Sequence, residues 1–178
     1  MPWDGSGAGE AAATYAAVSS AGTSWGGAAL YVDRGDGALS SLGASGRTLS
    51  ITGMAFDVLA PANPLLFDRT ATVTVELIGA DMTLTGTNTH GLAMGANRAL
   101  VGGELIQFAR AVPLGNRRWR LEVLLRGRGG TESAIGAHLA GERFILLDGE
   151  PLALDPALVG TALGTTVSAV GLGDAVPV

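Results

Sequence analysis

The sequence predicts a mainly β fold, an antiparallel sandwich or a small barrel with short helical turns. Three observations support this prediction. The segment TATVTVELI alternates apolar and polar side chains with the period of two that a half-buried strand requires. Twenty-eight glycines divide the 178 residues into short segments joined by turns. No segment carries the capped 3.6-residue periodicity of a long helix.

The N-terminal part of the chain predicts a linker followed by short strands. Residues 1–24 are rich in glycine and small side chains, a composition typical of a flexible linker or arm. Two apolar runs then flank Asp36-Gly37, which is the pattern of a β-hairpin. The segment GRTLSITG predicts a further strand with Leu49 and Ile51 on one face.

A loop separates this part from the clearest strand. The segment PANPLLFD predicts a loop because two prolines and an asparagine oppose both helix and ladder hydrogen bonds. We expect its apolar side chains Leu65, Leu66 and Phe67 to pack against the core. In the strand that follows, Val73 and Leu77 share the buried face.

A meander of strands is predicted from Ala99 onward. Gly102-Gly103 supplies the positive φ angles of a tight hairpin. Strict alternation in the next strand, RWRLEVLL, predicts one buried face and one solvent face. The buried face carries Trp119, Leu121, Val123 and Leu125, and the solvent face carries Arg118, Arg120, Glu122 and Leu124.

The C-terminal part predicts one more buried strand and an extension. The strand is ERFILLD, which follows the glycine-rich turn RGRGGTE. We therefore expect a β-rich domain over residues 25–150. Residues 151–178 form an extension to which GTTVSAV could add one strand. The aromatic side chains Trp25, Phe108, Trp119 and Phe144 are expected in the core.

Composition excludes several classes of site. The formal net charge is −5, so phosphate backbones repel the chain as a whole and we expect no nucleic-acid partner. There is no cysteine, and His90 and His138 are the two histidines. We therefore predict no metal and no cofactor. No apolar run reaches the roughly 18 residues of a spanning helix, which predicts no membrane span.

Candidate catalytic groups are present but lack a supporting pattern. Ser133, His138 and Asp148 provide the residue types of a nucleophile triad, yet Ser133 does not lie in G-x-S-x-G. Glu104 and Glu122, on neighbouring predicted strands, could act as a glycosidase pair. Each of these residues also has a structural interpretation. Ser133 is a polar loop residue, His138 is a hydrogen-bonded structural histidine, and Glu104 and Glu122 are solvent-facing carboxylates. We therefore predict that the protein is not an enzyme.

Residues 95–148 carry a longer pattern. Its matched elements are GAN at 95–97, GELIQF at 103–108, WRL at 119–121, LRGR at 125–128, GTE at 130–132, His138, and GERF at 141–144. This ordered series resembles the C-terminal part of the large tail-tip proteins of tailed phages, prophages and gene transfer agents. GGAALY and NPLLFDRTATVTVEL extend the resemblance over residues 25–150.

The resemblance implies a structural role. Related proteins form the baseplate hub or host-specificity component at the tail tip of a virion that is assembled in the host cytoplasm. It implies other tail-tip or baseplate proteins as partners, with a homotrimer as the common assembly. The family's catalytic residues, if any, do not lie in this stretch. The alternative function is a carbohydrate-binding module that contacts host surface glycan, which requires exposed aromatic rings on one concave face.

The resemblance also suggests a role for the arginines. Arginine pairs well with carboxylates at interfaces because its guanidinium is a planar fork. We expect Arg126, Arg128 and Glu132 to fix the turn after the strand through internal charge-assisted hydrogen bonds. Pairing between subunits is the second possibility. The interface or structural candidates are thus Arg118, Arg120, Arg126, Arg128, Glu132 and His138.

Overall fold

The computed structural model confirms a mainly β fold. It describes residues 14–22, 25–35, 37–47, 49–148, 151–159 and 165–171. The strands are β1 (Thr14–Ala16), β2 (Ala28–Asp33), β3 (Leu39–Ala44), β4 (Thr52–Ala55), β5 (Val73–Leu77), β6 (Arg98–Val101), β7 (Glu104–Gly115), β8 (Arg118–Leu125), β9 (Arg143–Leu146), β10 (Leu152–Leu154) and β11 (Thr166–Gly171). The helices are α1 (Thr89–Ala93) and α2 (Pro156–Val159), and single 3-10 turns span Arg128–Gly130 and Glu132–Ala134.

The chain divides into two compact units. The first contains the described residues from 50 to 148, and the second contains those from 14 to 49 and from 151 to 171. This division differs from the domain expected over residues 25–150, because the hairpin of β2 and β3 belongs with the C-terminal strands. Among the described residues, no helix is long and apolar enough to cross a membrane.

The first unit is a closed antiparallel barrel. Its strands follow the order β4, β5, β8, β7, β6 and β9, and β4 also pairs with β9 to close the ring. The alternation predicted for β5 is confirmed, since Val73, Val75 and Leu77 are fully buried. Phe108 and Phe144 lie in the core as expected. Trp119 is only half-buried.

The first half of β7 is covered on both faces. All residues from Glu104 to Phe108 are buried. Helix α1 covers this part of the strand, because the amide of Gln107 donates to the carbonyl oxygens of Leu92 and Ala96, both at 2.9 Å. Burial on both faces removes the need for alternation between polar and apolar side chains, and the sequence of this part, ELIQF, does not alternate.

Strand β8 changes its inward-facing phase at Val123. Leu121 and Leu124 are both completely buried, although strict alternation would put them on opposite faces. Val123 lies between them with φ +56°, a left-handed conformation that is unusual for a β-branched residue. The prediction that Leu124 faces solvent was therefore wrong. The same change of phase directs Arg126, two residues later, into the interior.

The loop before β5 does not pack down as expected. Leu65 and Leu66 are 88% and 62% exposed, and Phe67 is 38% exposed. The loop closes on itself, because the side-chain oxygen of Asn63 accepts the N–H of Leu65 at 2.9 Å. Asp68 then anchors it through two backbone hydrogen bonds to β8. The polar groups fix this loop, and its apolar side chains point outward.

The second unit contains two small sheets. One has the strand order β11, β2 and β3, and the other pairs β1 with β10, all antiparallel. The β2–β3 pair confirms the hairpin predicted around Asp36-Gly37. The core of the second unit contains Val18, Ala28, Leu30 and Leu154, and the partly buried Trp25 packs against these residues.

Several terminal predictions meet the structure only in part. Strand β1 lies inside the predicted linker, and residues 1–13, 23 and 24 lie outside the described residues. Strands β10 and β11 lie in the predicted extension, whose residues 160–164 and 172–178 are also outside. The strand predicted from GRTLSITG begins later, at Thr52, so Leu49 and Ile51 precede it.

Candidate functional site: a buried charge cluster

Glu104 is the centre of a charged cluster inside the barrel. It is the first residue of β7 and is completely buried. Its Oε1 accepts the Nε of Arg126 at 2.8 Å and the backbone N–H of Gly127 at 2.7 Å. Its Oε2 accepts the Nη2 of Arg126, also at 2.8 Å. The carboxylate and the guanidinium thus form a two-bond fork, the strongest geometry for this pair.

Arg126 reaches a second set of acceptors with its remaining nitrogen. The side chain is completely buried. Its Nη1 donates to the carbonyl oxygen of Ala60 at 2.8 Å and lies 3.4 Å from Oδ2 of Asp68. Asp68 is the residue whose backbone bridges to β8. Arg126 therefore ties β7, the end of β8 and the loop before β5 together.

His138 lies between two carboxylates. Its Nε2 is 2.7 Å from Oε2 of Glu104, and its Nδ1 is 2.7 Å from Oε2 of Glu142. The side chain is 2% exposed. A neutral imidazole donates from one nitrogen, whereas the imidazolium donates from both. Through these two contacts His138 fastens the segment before β9 to the start of β7.

The turn after β8 is shaped to deliver these groups. Gly127 has φ +57°, and a Cβ there would lie 2.9 Å from the Cα of Glu132. Glycine is therefore required at this position on both grounds. The hydroxyl of Thr131 accepts the N–H of Leu105 at 2.9 Å and donates to the carbonyl of Arg128 at 2.8 Å. These bonds hold the turn against the start of β7.

The surroundings of Glu104 keep it ionised. Burial acts to raise the pKa of its carboxyl. Hydrogen bonds from Arg126, His138 and the backbone N–H of Gly127, together with the positive charge of Arg126, outweigh burial and hold the pKa below its ordinary value. A carboxylate that is ionised and fully hydrogen-bonded accepts no further proton or ligand at neutral pH. The arrangement is suited to holding the barrel together.

The other predicted arginines lie on the outer face of the barrel. The Nε of Arg118 donates to Glu76 at 2.9 Å, and its guanidinium lies 3.8 Å from the ring centre of Phe56. The Nε of Arg120 donates to Glu122 at 2.7 Å. The hydrogen bond from Arg118 is the main cause that lowers the pKa of Glu76, with Arg117 adding to it against burial. These pairs are partly exposed.

Arg128 and Glu132 do not join the buried cluster. Both are exposed, and their backbone carbonyls accept the N–H groups of Thr131 and Ile135. Within the described residues, neither side chain makes a hydrogen bond or ion pair. The expected internal fixation of this turn is thus seen for Arg126, while its partners are Glu104 and Asp68, in place of Arg128 and Glu132.

The catalytic combinations considered from sequence are not assembled. Asp148 accepts the backbone N–H groups of Asn97 and Arg98, while His138 faces Glu104 and Glu142. Ser133 is exposed in a 3-10 turn. The expectation that Glu104 faces solvent was wrong, because β7 begins with both faces covered. Glu122 does face outward, where it lies opposite Arg110 and beside Arg120.

Sequence reasoning missed three members of the cluster, Asp68, Glu104 and Glu142. Glu142 lies four residues after His138, but Glu104, the shared partner of Arg126 and His138, lies 22 residues before Arg126 and 34 before His138. Only the closed strand order brings them together. One signal was available: Glu104 opens the segment ELIQF, which lacks the alternation of a strand with one solvent face, and a charge in such a strand requires a buried partner. Among the described residues, no group of acidic or histidine side chains could hold a metal ion.

Residues 50–145 match the protein family described as Rcc01698-like, C-terminal. The chain belongs to that family. The matched range covers nearly the whole barrel, so the Rcc01698-like C-terminal region corresponds to one compact unit. All members of the buried cluster lie within it. No curated protein matches the chain.

Proposed function

We propose that this chain is a structural and interaction module of a phage-like tail tip, of the baseplate hub or host-specificity type, and that it is not an enzyme. It assembles with other tail proteins and, as a homotrimer, with copies of itself. The proposal locates the protein at the distal end of a virion or gene transfer agent tail. Membership of the Rcc01698-like C-terminal family and the resemblance of residues 95–148 to tail-tip proteins support it.

The buried charge cluster is the observation that carries this proposal. In an enzyme, the groups with the most perturbed surroundings face a cleft where substrate can reach them. Here Glu104 accepts two hydrogen bonds from Arg126 and is hydrogen-bonded to His138 inside the barrel. These groups therefore already have partners within the protein. A protein that must persist in a particle requires such internal cross-links. This arrangement therefore favours a structural role over catalysis.

The carbohydrate-binding alternative has less support. Sugar stacking requires an open aromatic ring. Phe56 is 54% exposed, but the guanidinium of Arg118 covers its ring. Phe67 is exposed on the loop before β5. A glycan array probed with the purified chain separates the two functions, and specific sugar binding lost on Phe67→Ala would favour the glycan module.

Immunogold labelling of particles tests the proposed function. Antibodies raised against the purified chain are applied to tailed particles from a producing strain. We expect gold at the end of the tail distal to the head. Antibody absorbed beforehand with the purified chain provides the control. Particles that stay unlabelled while the chain remains in the particle-free fraction would contradict the proposal.

A further inference from the structure

A stripe of exposed apolar side chains begins on the outer face of β4 and continues into the segment that follows the strand. Met54, Phe56 and Val58 are 56%, 54% and 55% exposed, whereas Ala55 and Leu59, which alternate with them, are buried. Exposed and buried residues thus alternate past the end of β4, where the N–H of Phe56 still donates to the carbonyl of Thr74 on β5 at 2.7 Å. Exposed apolar groups in a continuous row are typical of surfaces that bind another molecule.

Arginines border this stripe on both sides. Met54 lies opposite Arg143 on β9 and opposite Glu76 on β5, and Glu76 in turn lies opposite Arg118 on β8. Directly opposite residues share a face of a sheet, so these four form one row across the barrel wall. The row spans three strand spacings, about 14 Å. This width accommodates one helix or one extended segment.

The face is positively charged within an acidic chain. Its ionisable groups among the described residues are five arginines, two glutamates and one aspartate: Arg110, Arg117, Arg118, Arg120, Arg143, Glu76, Glu122 and Asp57. The whole chain has a net charge of −5. Asp57 lies between the stripe residues and adds a third negative group, whose carboxylate accepts the backbone N–H of Thr74 at 2.8 Å, so positive groups exceed negative ones by two. The face is therefore complementary to carboxylates.

The side chains of this face are held in place before any partner arrives. Arg118 rests on the ring of Phe56 and donates to Glu76. Such contacts reduce the conformational entropy that binding would otherwise remove. Arginine, methionine and aromatic residues are also the types enriched at protein interfaces.

We propose that this face, which we call the β4 face, binds an acidic polypeptide segment whose apolar side chains lie along Met54, Phe56 and Val58 and whose carboxylates meet the bordering arginines. The inference rests on the proposed function for the identity of the partner as a neighbouring tail protein. Nucleic acid fits less well, because the exposed side chains of Met54, Phe56 and Val58 are apolar and offer no partner to a phosphate backbone. Arg118 also covers the ring on which a base would stack.

Binding of defined peptides to the purified chain tests this inference. The probes are short synthetic peptides with a Leu-Phe-Leu centre flanked by glutamates, with serine and lysine versions as comparisons. We expect the glutamate peptides to bind most tightly, and high salt to weaken them. Phe56→Ser and Arg143→Glu should each weaken binding at least about tenfold. Met94→Ser and Arg128→Glu, which change exposed residues elsewhere on the barrel, should leave binding unchanged.

Three results would overturn the inference. Equal binding of the glutamate, serine and lysine peptides would exclude charge complementarity. Unchanged binding by folded Phe56→Ser and Arg143→Glu proteins would place the peptide elsewhere. Duplex DNA that displaces the peptides and loses affinity on Arg143→Glu would make the face a nucleic-acid surface. Tail-tip labelling without peptide binding would leave the proposed function standing and remove this inference, whereas peptide binding without labelling would do the reverse.

Discussion

The barrel contains two sets of ion pairs built from the same residue types, and solvent access distinguishes them. Inside, Glu104 pairs with Arg126 at 0% exposure for both side chains. Outside, Arg118 and Arg120 pair with Glu76 and Glu122 at partial exposure. Exposed pairs contribute about 0–1 kcal/mol, whereas breaking a buried pair costs about 3–5 kcal/mol because one charge stays buried without a partner. Burial, and not the residue type, therefore determines how much each arginine contributes to the free energy of unfolding.

Arg126→Ala is expected to have the largest effect. It leaves Glu104 buried without its forked partner, so the free energy of unfolding should fall by about 3–5 kcal/mol. The melting temperature should fall by on the order of 10 °C or more. Thermal unfolding followed by circular dichroism measures this change.

Arg120→Ala is the matched control for that prediction, because it removes one arginine of the same strand region from the outer face. Its melting temperature should stay close to that of the unchanged protein. The double variant Glu104→Leu, Arg126→Met removes both charges and should be less destabilised than Arg126→Ala. Equal effects of Arg126→Ala and Arg120→Ala would refute the distinction between the two sets.

His138→Gln should have an intermediate effect. The side chain of glutamine cannot contact Glu104 and Glu142 from opposite sides as the two ring nitrogens of His138 do. Loss of one such hydrogen bond to a charged group should reduce the free energy of unfolding by about 1.5–3 kcal/mol. Amide hydrogen exchange should also rise at Gly127 and Leu105, whose N–H groups bond within this region. Leu139→Ser, at the exposed neighbouring residue, is the control, and faster exchange in both variants would argue against this role of His138.

Acid should weaken the buried cluster. The pKa of Glu104 lies below its ordinary value of 4.5, so its ionised form favours the folded protein. Its contribution is fully present above about pH 4.5 and is lost as the pH falls through the lowered pKa. Urea unfolding across this pH range should show a steeper loss for the unchanged protein than for Glu104→Gln. Parallel curves for the two proteins would mean that Glu104 does not titrate in this way.

Glu76→Gln should have the smallest effect. The pKa of Glu76 is also lowered, chiefly by its hydrogen bond from Arg118, but the pair is partly exposed. The change in the free energy of unfolding should be small and should shrink further in high salt. The effect of Arg126→Ala should persist in high salt, because screening reaches buried charges poorly. Chemical unfolding at low and high salt compares the two, and equal salt sensitivity would contradict the comparison.

Sequence patterns predicted the fold where each strand has one wet face. The alternation of Val73 to Leu77 and the glycine turns at Asp36-Gly37 and Gly102-Gly103 were sufficient for this, since both are local signals. The phase of β8 was not predictable, because the left-handed conformation of Val123 contradicts its own residue preference. Pairing of β8 with its neighbouring strands imposes the left-handed conformation of Val123.

The candidate site was predictable in part. Arg126 and His138 were selected, but their partner Glu104 was assigned to solvent because charged residues are rarely fully buried. Its burial follows from helix α1 and the 3-10 turns covering β7, which no local pattern reports. Leu65 and Leu66 show the opposite error, since apolar character alone does not specify a place in the core.

The two ends of the barrel segment meet. The backbone N–H of Leu146 donates to the carbonyl of Ile51 at 2.9 Å, so the polypeptide leaves this unit beside the place where it entered. A domain with adjacent ends can be inserted into a host chain, or removed from it, with little disturbance of either. The second unit, composed of one segment before and one after the barrel, has the sequence arrangement of such a host. Along the chain, the barrel is therefore arranged as an insertion between the two segments of the second unit.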